Sequence, residues 1–374
     1  MLAVTIWMNM PSFYQADLFK ALVASGQVDL QVIFARSTTH DRQQLGWQDA
    51  LDGYDHRLLG GRMALADAMR SAWASRQRLH IVNSIWAEPA FAAALVALRL
   101  AGSRYLIYAE APDPTVPRSA ARERAKRLFG RWIARGAAGM LAVARFSADY
   151  HQRLGFEPAH IYPFGYFEAG GDPAGERLRG DGRQPIDVVY IGQLVHRKGL
   201  DVLFEAMGAL LDEHPDLRLS LIGDGPDRAA LRAQVDARRL QEQIVFEGVI
   251  PSGQVRARLS SADLLVLPSR WDGWGRVVNE ALTVGVPVIV SDRCGAADVI
   301  RQGVNGYVFH SEDVPGLRAC LGEFLRRADE WPRLRAEAAR TGRTLSAEAA
   351  AEYLIACLRH VTGAAQSKPA PPWL

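Results

Sequence analysis

Short apolar runs alternate with helix-length amphipathic segments along most of the chain. Five apolar runs in the first half predict buried strands: LAVTIW, VDLQVIF, LHIVNS, RYLIYAE and GMLAVA. Helical patterns lie between these runs, for example from Gln15 to Ala24 and from Glu88 to Leu100. Strands that alternate with helices of this length indicate parallel sheets wound by right-handed crossovers.

The alternation stops between Glu168 and Pro185, where the sequence reads EAGGDPAGERLRGDGRQP. This stretch is rich in Gly, Pro and Asp and has no apolar period, so we predict an interdomain linker over residues 169–185. Six further apolar runs follow, again separated by helical segments: DVVYIG, LRLSLIG, IVFEG, DLLVLP, VPVIV and NGYVF. The pattern therefore predicts an α/β protein with two doubly wound, Rossmann-like domains.

The predicted domains cover residues 1–168 and 186–345. We expect a final helix over 346–361 that packs back on the first domain, followed by a disordered tail over 362–374. A chain of 374 residues is too long for one ordinary core and suits two domains. Doubly wound sheets bind ligands outside the carboxyl ends of their strands, so a cleft between the domains is the expected site.

The charge of the chain is nearly balanced but unevenly placed. The formal net charge is +3, which does not indicate a nucleic-acid-binding protein. Residues 1–170 contain 19 basic and 14 acidic residues, and the rest contains 25 and 27. The basic excess of the first half suggests an anionic partner there.

Cysteine usage and hydropathy point to the cytoplasm. The three cysteines, Cys294, Cys320 and Cys357, form no C-x-x-C pair, so neither a zinc site nor a disulfide framework is indicated. The first residues lack the basic segment of a secretory signal. The longest apolar run, Phe91 to Leu98, is far shorter than the roughly 20 residues of a spanning helix. We expect a protein that touches a membrane at most.

The most informative segment is PSRWDGWGRVVNEALTVGVPVIVS, from Pro268 to Ser291. A strand ends at its proline, and a loop leads into a helix that contains Glu280 about one turn inside. Glycines in the loop allow the backbone to approach a ligand closely. The first free N–H groups of the helix favour a phosphate, and the Glu280 carboxylate accepts hydrogen bonds from a ribose diol. The donor-side candidates here are Gly273, Trp274, Gly275, Arg276, Val277, Val278 and Glu280.

This segment resembles the signature of the family 4 retaining glycosyltransferases of the GT-B fold, in which two Rossmann-like domains face each other across a cleft. The signature contains two acidic residues with seven residues between them, and Asp272 and Glu280 have this spacing. The resemblance implies that Glu280 binds the donor ribose and that Asp272 contacts the hydroxyls of the donor sugar. The family usually has Glu at the first position, so the Asp272 side chain is shorter by one carbon–carbon bond, about 1.5 Å.

A second segment, VVYIGQLVHRKGLDVLFEAM, supplies cations between a strand and a helix. Arg197 and Lys198 lie in this loop, where positive charge neutralises a diphosphate leaving group. The loop resembles the Gly-Arg…Lys-Gly loop of the family, with Gly192 and Lys198 in the matching places. Gln193 replaces the usual arginine, so the resemblance implies that Arg197 compensates or that the site has one charge fewer. A solvated basic loop is the alternative.

Three weaker features follow in the order of the family: LIGDGPDRAAL, FEGVIP and CGAADVIRQGVNGYVF. The resemblance implies that Gly248 and Val249 line the base pocket. In the first half, Glu110 takes the place of a histidine that the family often has at a strand end. It is a candidate for contact with the donor sugar or the acceptor, and a structural pair with Arg104 or Arg118 is the alternative.

A basic stretch over residues 118–135 also carries Leu128, Phe129, Trp132 and Ile133 at helical spacing. Such a helix can lie on an anionic membrane surface, here the inner face of the plasma membrane. The alternative is an ordinary packed helix with a solvated basic face.

The resemblance implies a peripheral enzyme that transfers a hexosyl unit from a UDP- or GDP-sugar to a hydroxyl of a glycan or lipid-linked acceptor, without a cofactor or bound metal. Two alternatives stay open: a nucleotide-sugar epimerase of the same fold and a non-catalytic nucleotide-sugar-binding protein. A nicotinamide-dependent oxidoreductase is disfavoured because no G-x-G-x-x-G follows the first strand.

Overall fold

The computed structural model describes residues 1–39, 51–83, 85–168 and 185–374. All of the predicted linker except Pro185 lies outside these residues. The chain forms two compact units. The first combines Met1–Ala169 with Ser346–Pro372, and the second contains Gly170–Leu345.

Seven parallel strands form the sheet of the first unit. They are β1 (Leu2–Met8), β2 (Val28–Phe34), β3 (Asp55–Leu58), β4 (Leu79–Asn83), β5 (Tyr105–Ala109), β6 (Gly139–Ala142) and β7 (Ile161–Pro163). Their order is β3-β2-β1-β4-β5-β6-β7. The apolar pattern predicts all of these except β3 and β7, because β3 is polar and exposed at the edge and β7 has only three residues.

Five helices connect these strands in the part of the chain that the structure describes: α1 (Phe13–Ala24), α2 (Ala64–Ala74), α3 (Pro89–Leu100), α4 (Ala120–Ala134) and α5 (Arg145–Arg153). Helix α3 begins with a proline, whose missing N–H is not needed in the first turn. Its Ala94, Leu95 and Leu98 side chains are completely buried in the core.

Helix α4 packs its apolar side inward, contrary to the predicted membrane-facing stripe. The Ile133 side chain is completely buried, and Phe129 and Trp132 pack against the core of the first unit. Phe129 also contacts Trp86 edge to face. Among the four apolar residues of the predicted stripe, only Leu128 is exposed, at 62%. The basic stretch therefore presents charge to solvent with little apolar surface beside it.

Six parallel strands form the sheet of the second unit, and all six correspond to predicted runs. They are β8 (Ile186–Ile191), β9 (Leu217–Ile222), β10 (Ile244–Gly248), β11 (Leu264–Leu267), β12 (Val288–Ser291) and β13 (Gly306–Phe309). Their order is β10-β9-β8-β11-β12-β13. The chain reverses its direction of winding between β8 and β11, which is where such sheets bind ligands.

The helices of the second unit are α6 (Leu200–Glu213), α7 (Arg228–Ala237), α8 (Val255–Ser260), α9 (Val277–Thr283), α10 (Val314–Arg326) and α11 (Trp331–Thr344). Helix α12 (Ala347–Val361) then returns to the first unit and packs on α1. Ser346 caps it by accepting a hydrogen bond from the Ala349 N–H.

The tail after α12, for which the sequence predicts disorder, contacts the first unit. The Lys368 ammonium donates a hydrogen bond of 2.9 Å to the Pro158 carbonyl, and it lies over the Tyr162 ring. These two contacts give the tail a defined position that its composition does not indicate. Over the described residues, we find no helix with both the length and the apolar character needed to cross a bilayer.

Candidate functional site

The candidate site lies at the switch point of the second sheet, where the loops after β8 and β11 run side by side. The two strands are direct neighbours, with Val188 opposite Leu264. The loop after β8 forms a short 3₁₀ turn, His196–Lys198, and the Arg270 N–H donates to the Arg197 carbonyl at 2.9 Å. This backbone contact brings the predicted cations next to the predicted acid.

Lys198 and Asp272 form an ion pair in this position. The Lys198 ammonium donates to the Asp272 Oδ2 atom, and the two side chains are only 12% and 16% exposed. The Arg197 guanidinium donates to the carbonyl of Trp271, the residue before Asp272, at 2.8 Å. Lys198 is therefore the cation that is paired with the acid, and Arg197 is bound to the backbone beside it. The Gln193 side chain is exposed, while its carbonyl accepts from the Tyr190 hydroxyl at 2.7 Å.

Two glycines fix the approach of these loops. Gly199 has a φ of +69°, and a Cβ atom there would lie 2.2 Å from the Pro268 carbonyl oxygen. Gly223 has a φ of +135°, and a Cβ atom there would lie 1.9 Å from the Gly192 carbonyl oxygen. No other residue fits such contacts without moving the backbone. Because they lack a Cβ atom, the glycines of the predicted motifs allow neighbouring loops to lie in close contact.

The loop that carries Asp272 is supported by the loop after β12. The Asp272 N–H donates to the Arg293 carbonyl at 3.0 Å, and the Gly295 N–H donates back to the Asp272 carbonyl at 3.1 Å. The Cys294 thiol donates to the Trp274 carbonyl at 2.8 Å. Burial raises the pKa of this thiol, and the nearby Asp272 charge raises it further. The thiol therefore stays protonated and can donate the hydrogen bond. The sequence motif containing Cys294 does not reveal this supporting role, since the contact spans 20 residues.

Glu280 lies one turn into α9, as predicted, and is 6% exposed. The Arg276 guanidinium donates to its Oε1 atom at 2.6 Å. Gly275, just before this turn, has a φ of +89°. The structure thus brings Glu280 and Arg276 together at the start of the helix that follows the Asp272 loop.

Several other predicted donor-side residues have buried side chains. Trp274 is 1% exposed and donates to the Asn279 Oδ1 atom at 2.8 Å, while Val278 is completely buried. Both can offer only backbone groups to a ligand. Gly273 and Val277 are half-buried in the same segment. Gly248 ends β10 with a φ of +77°, and Val249 beyond it is 63% exposed.

A second charged group at this edge is centred on Arg270, which the sequence does not single out. Its guanidinium donates to the Asp201 carboxylate at 2.7 Å and to the Glu312 carboxylate at 2.9 Å. The hydrogen bond from Arg270 lowers the pKa of Asp201 despite partial burial. These partners lie 69 and 42 positions away in sequence, so no local motif could have found them. They tie the Asp272 loop to the start of α6.

Glu110 belongs to the first unit, at the end of β5. It accepts a hydrogen bond from the Tyr166 hydroxyl. Arg118, one of its predicted alternative partners, instead donates to the Asp113 carbonyl at 2.9 Å. Among the described residues, no group of three or more His, Cys, Asp or Glu side chains is arranged to hold a metal ion.

Residues 180–343 match the family described as Glycosyl transferases group 1. A 148-residue region is 30% identical to a putative colanic acid biosynthesis glycosyltransferase, WcaL, of Salmonella typhimurium, covering 38% of this chain and 36% of that protein. A 153-residue region is 33% identical to a GDP-mannose-dependent alpha-(1-6)-phosphatidylinositol monomannoside mannosyltransferase of Mycolicibacterium smegmatis, covering 39% of this chain and 40% of that protein. The matches thus span well under half the length of these curated relatives.

The similarity of fold to solved structures extends over nearly the whole chain. The crystal structure of Anabaena Alr3699/HepE in complex with UDP is similar with a TM-score of 0.72 and 15% identity, covering 96% of this chain and 99% of that one. The GT-B fold expected from the signature is therefore confirmed. Together, these findings show that the chain has the GT-B fold and that its residues 180–343 match the glycosyl transferases group 1 family.

Proposed function

We propose that this protein is a retaining glycosyltransferase that moves a hexosyl unit from a UDP- or GDP-sugar to a hydroxyl of a glycan or lipid-linked acceptor. The observation that carries the proposal is the Lys198–Asp272 ion pair at the switch point, with Glu280 in the helix that follows. A cation, a carboxylate for sugar hydroxyls and a carboxylate for a ribose are the groups that a nucleotide-sugar requires.

The roles follow from the chemistry of each side chain. Glu280 accepts hydrogen bonds from the ribose diol through its carboxylate, which lies at the start of the helix that follows the Asp272 loop. Asp272 accepts from hydroxyls of the donor sugar. Lys198 stabilises the negative charge that grows on the diphosphate as the glycosidic bond breaks.

The proposed reaction needs no protein nucleophile. The acceptor hydroxyl attacks the anomeric carbon on the face that the diphosphate leaves, and the departing phosphate oxygen takes the proton of that hydroxyl. Atoms and charge balance, because the products are the glycoside and the nucleoside diphosphate. The contribution of the protein is positioning and electrostatic stabilisation. The ion pair with Asp272 holds Lys198 in place before the donor arrives.

The names of the relatives support the choice of donor and acceptor. One relative uses GDP-mannose and a phosphatidylinositol mannoside, and the similar crystal structure contains UDP. We therefore propose a nucleotide-sugar donor and a glycan or glycolipid acceptor, with Glu110 on the acceptor side and a cytoplasmic location. No metal or cofactor is part of the proposal.

The test is thermal stabilisation of the purified chain by UDP, GDP, NAD and a panel of nucleotide-sugars. A ligand that binds only the folded protein raises its midpoint of unfolding. Glu280→Ala removes two charge-assisted hydrogen bonds at roughly 1.5–3 kcal/mol each, which weakens the nucleotide about 100-fold to 10,000-fold. Glu242→Ala, at an exposed position of the same unit, is the matched control and should bind normally.

The outcomes separate the candidate functions. A shift with UDP or GDP that Glu280→Ala abolishes supports the donor site and names the base. A shift with NAD alone, or normal binding by Glu280→Ala, refutes it. With the donor identified, transfer to an acceptor supports the transferase, whereas conversion of the donor sugar without acceptor indicates an epimerase. Binding without turnover of any donor indicates a non-catalytic protein.

A further inference from the structure

A group of large apolar side chains is exposed in one region of the first unit. Five of the exposed large hydrophobic residues lie within a stretch of 16 positions: Leu58, Met63, Leu65, Met69 and Trp73. Three of them, Leu65, Met69 and Trp73, recur every four residues along α2 and are 55%, 43% and 53% exposed. We call these three side chains the α2 stripe. Isolated exposed apolar residues are common, but a continuous stripe marks a binding surface.

The small residues of α2 are the ones that pack on the protein. Ala68, Ser71 and Ala72 are buried, the two alanines belong to the core of the first unit, and the helix packs on its neighbour α3. The helix therefore has small residues where it meets the protein and large apolar residues where it meets solvent. This distribution is the reverse of an ordinary surface helix, whose large apolar residues face the core.

The charge around the stripe is strongly positive. Residues 57–78 contain five arginines and one acid, Asp67. That acid is 14% exposed and paired with Arg57. Arg70 and Arg76 are exposed, and the Arg76 guanidinium lies over the Trp73 ring. The surface therefore combines Leu, Met and Trp with arginines and offers no free carboxylate among these positions.

We propose that the α2 stripe docks the protein on an anionic lipid surface. Interfacial helices combine an apolar face containing Trp and Leu with flanking Arg or Lys, and both features contribute to binding. Docking of a second copy through the same face is disfavoured, because a two-fold contact would place arginines against arginines. The proposal replaces the basic segment 118–135, whose apolar side chains are largely packed inside. It does not depend on the donor site or on the proposed reaction.

The experiment is flotation of the full-length chain with phosphatidylglycerol vesicles, compared with phosphatidylcholine vesicles. We expect the chain to float with the anionic vesicles and to be released by salt, which screens exposed charges. Met69→Ser with Trp73→Ser should lower the partition coefficient at least about tenfold, since the double variant removes apolar area that the lipid surface would bury. Arg70→Gln with Arg76→Gln should lower it on the order of tenfold.

Matched controls come from α4. Leu128→Ser replaces an apolar residue that is 62% exposed, and Arg122→Gln with Arg124→Gln removes two exposed charges. Both controls should float like the unmodified chain, and all variants should keep the same unfolding temperature. The proposal is overturned if the unmodified chain does not float or if the stripe variant floats equally well. It is also overturned if only the α4 controls lose flotation. A dimer that the Trp73 variant abolishes, without vesicle binding, assigns the stripe to a second copy instead.

Discussion

The two units share one architecture, yet they are held together at their centres in different ways. In the second unit, the backbone at Gly223 and Gly199 lies so close to neighbouring carbonyls that no side chain fits. In the first unit, the central strands are joined by a buried imidazole, since the Trp7 indole donates to the His80 Nδ1 atom at 3.1 Å. The backbone contacts of the second unit leave no room for a methyl group at either glycine. The buried imidazole of the first unit resists protonation. We therefore expect steric changes to damage the second unit and acid to damage the first.

The largest expected effect is that of Gly223→Ala. The added Cβ atom would lie 1.9 Å from the Gly192 carbonyl oxygen, at a φ of +135°. Overpacking and backbone strain each cost about 1–3 kcal/mol, so the free energy of unfolding should fall by about 2–6 kcal/mol. Denaturant titration followed by tryptophan fluorescence measures this change.

Gly248→Ala is the matched control for this steric argument. Its φ is +77°, but a Cβ atom there meets nothing within 4 Å. Only the left-handed conformation is penalised, at about 1–2 kcal/mol. Equal destabilisation by the two substitutions would show that backbone conformation, rather than contact between the loops, determines the stability of this edge.

Lys198→Ala tests whether the ion pair of the second unit is catalytic as well as structural. Charge develops on the leaving diphosphate only in the transition state, so turnover should fall about 100-fold to 1,000-fold, or about 2.7–4 kcal/mol. UDP or GDP affinity should fall less. Arg197→Met is the control, because the Arg197 guanidinium is already bound to the Trp271 carbonyl. Steady-state kinetics and nucleotide titration give both quantities, and equal losses of turnover and affinity would contradict the assigned role.

The contrast between the units also explains what the sequence reveals. Lys198, Asp272, Glu280 and the glycines near them occur in short motifs, because each loop after a strand is built from neighbouring residues. The pairing of His80 with Trp7 spans 73 residues, and that of Arg270 with Asp201 spans 69. Such contacts exist only after folding, and no local pattern predicts them.

Strand prediction has a similar physical limit. Buried parallel strands are continuous apolar runs, so the interior strands of both sheets are predicted from the sequence. Strand β3 reads DHRL and is exposed along its whole length, which removes the signal. The α2 stripe escapes prediction for a related reason, since periodicity shows that a helix has an apolar face but not which side of that helix the core covers.

The pH dependence of unfolding tests the first unit, and the loss expected from each histidine is the smallest of the three effects. Burial lowers the pKa of His80 and of His151 from 6.5 to about 4. The unfolded chain therefore binds more protons than the folded one between these values. Stability is complete above pH 6.5 and is lost as the pH falls toward 4, by about 2 kcal/mol per histidine at pH 5. Thermal unfolding across this range should show the loss, and His80→Gln should remove about half of it, because His151 keeps its own share. The exposed His310 of the second unit has a raised pKa through its hydrogen bond to Asp292, so His310→Gln should leave the acid loss of the first unit intact. A profile that His310→Gln flattens and His80→Gln does not would place the acid-sensitive contacts in the second unit and reverse the comparison.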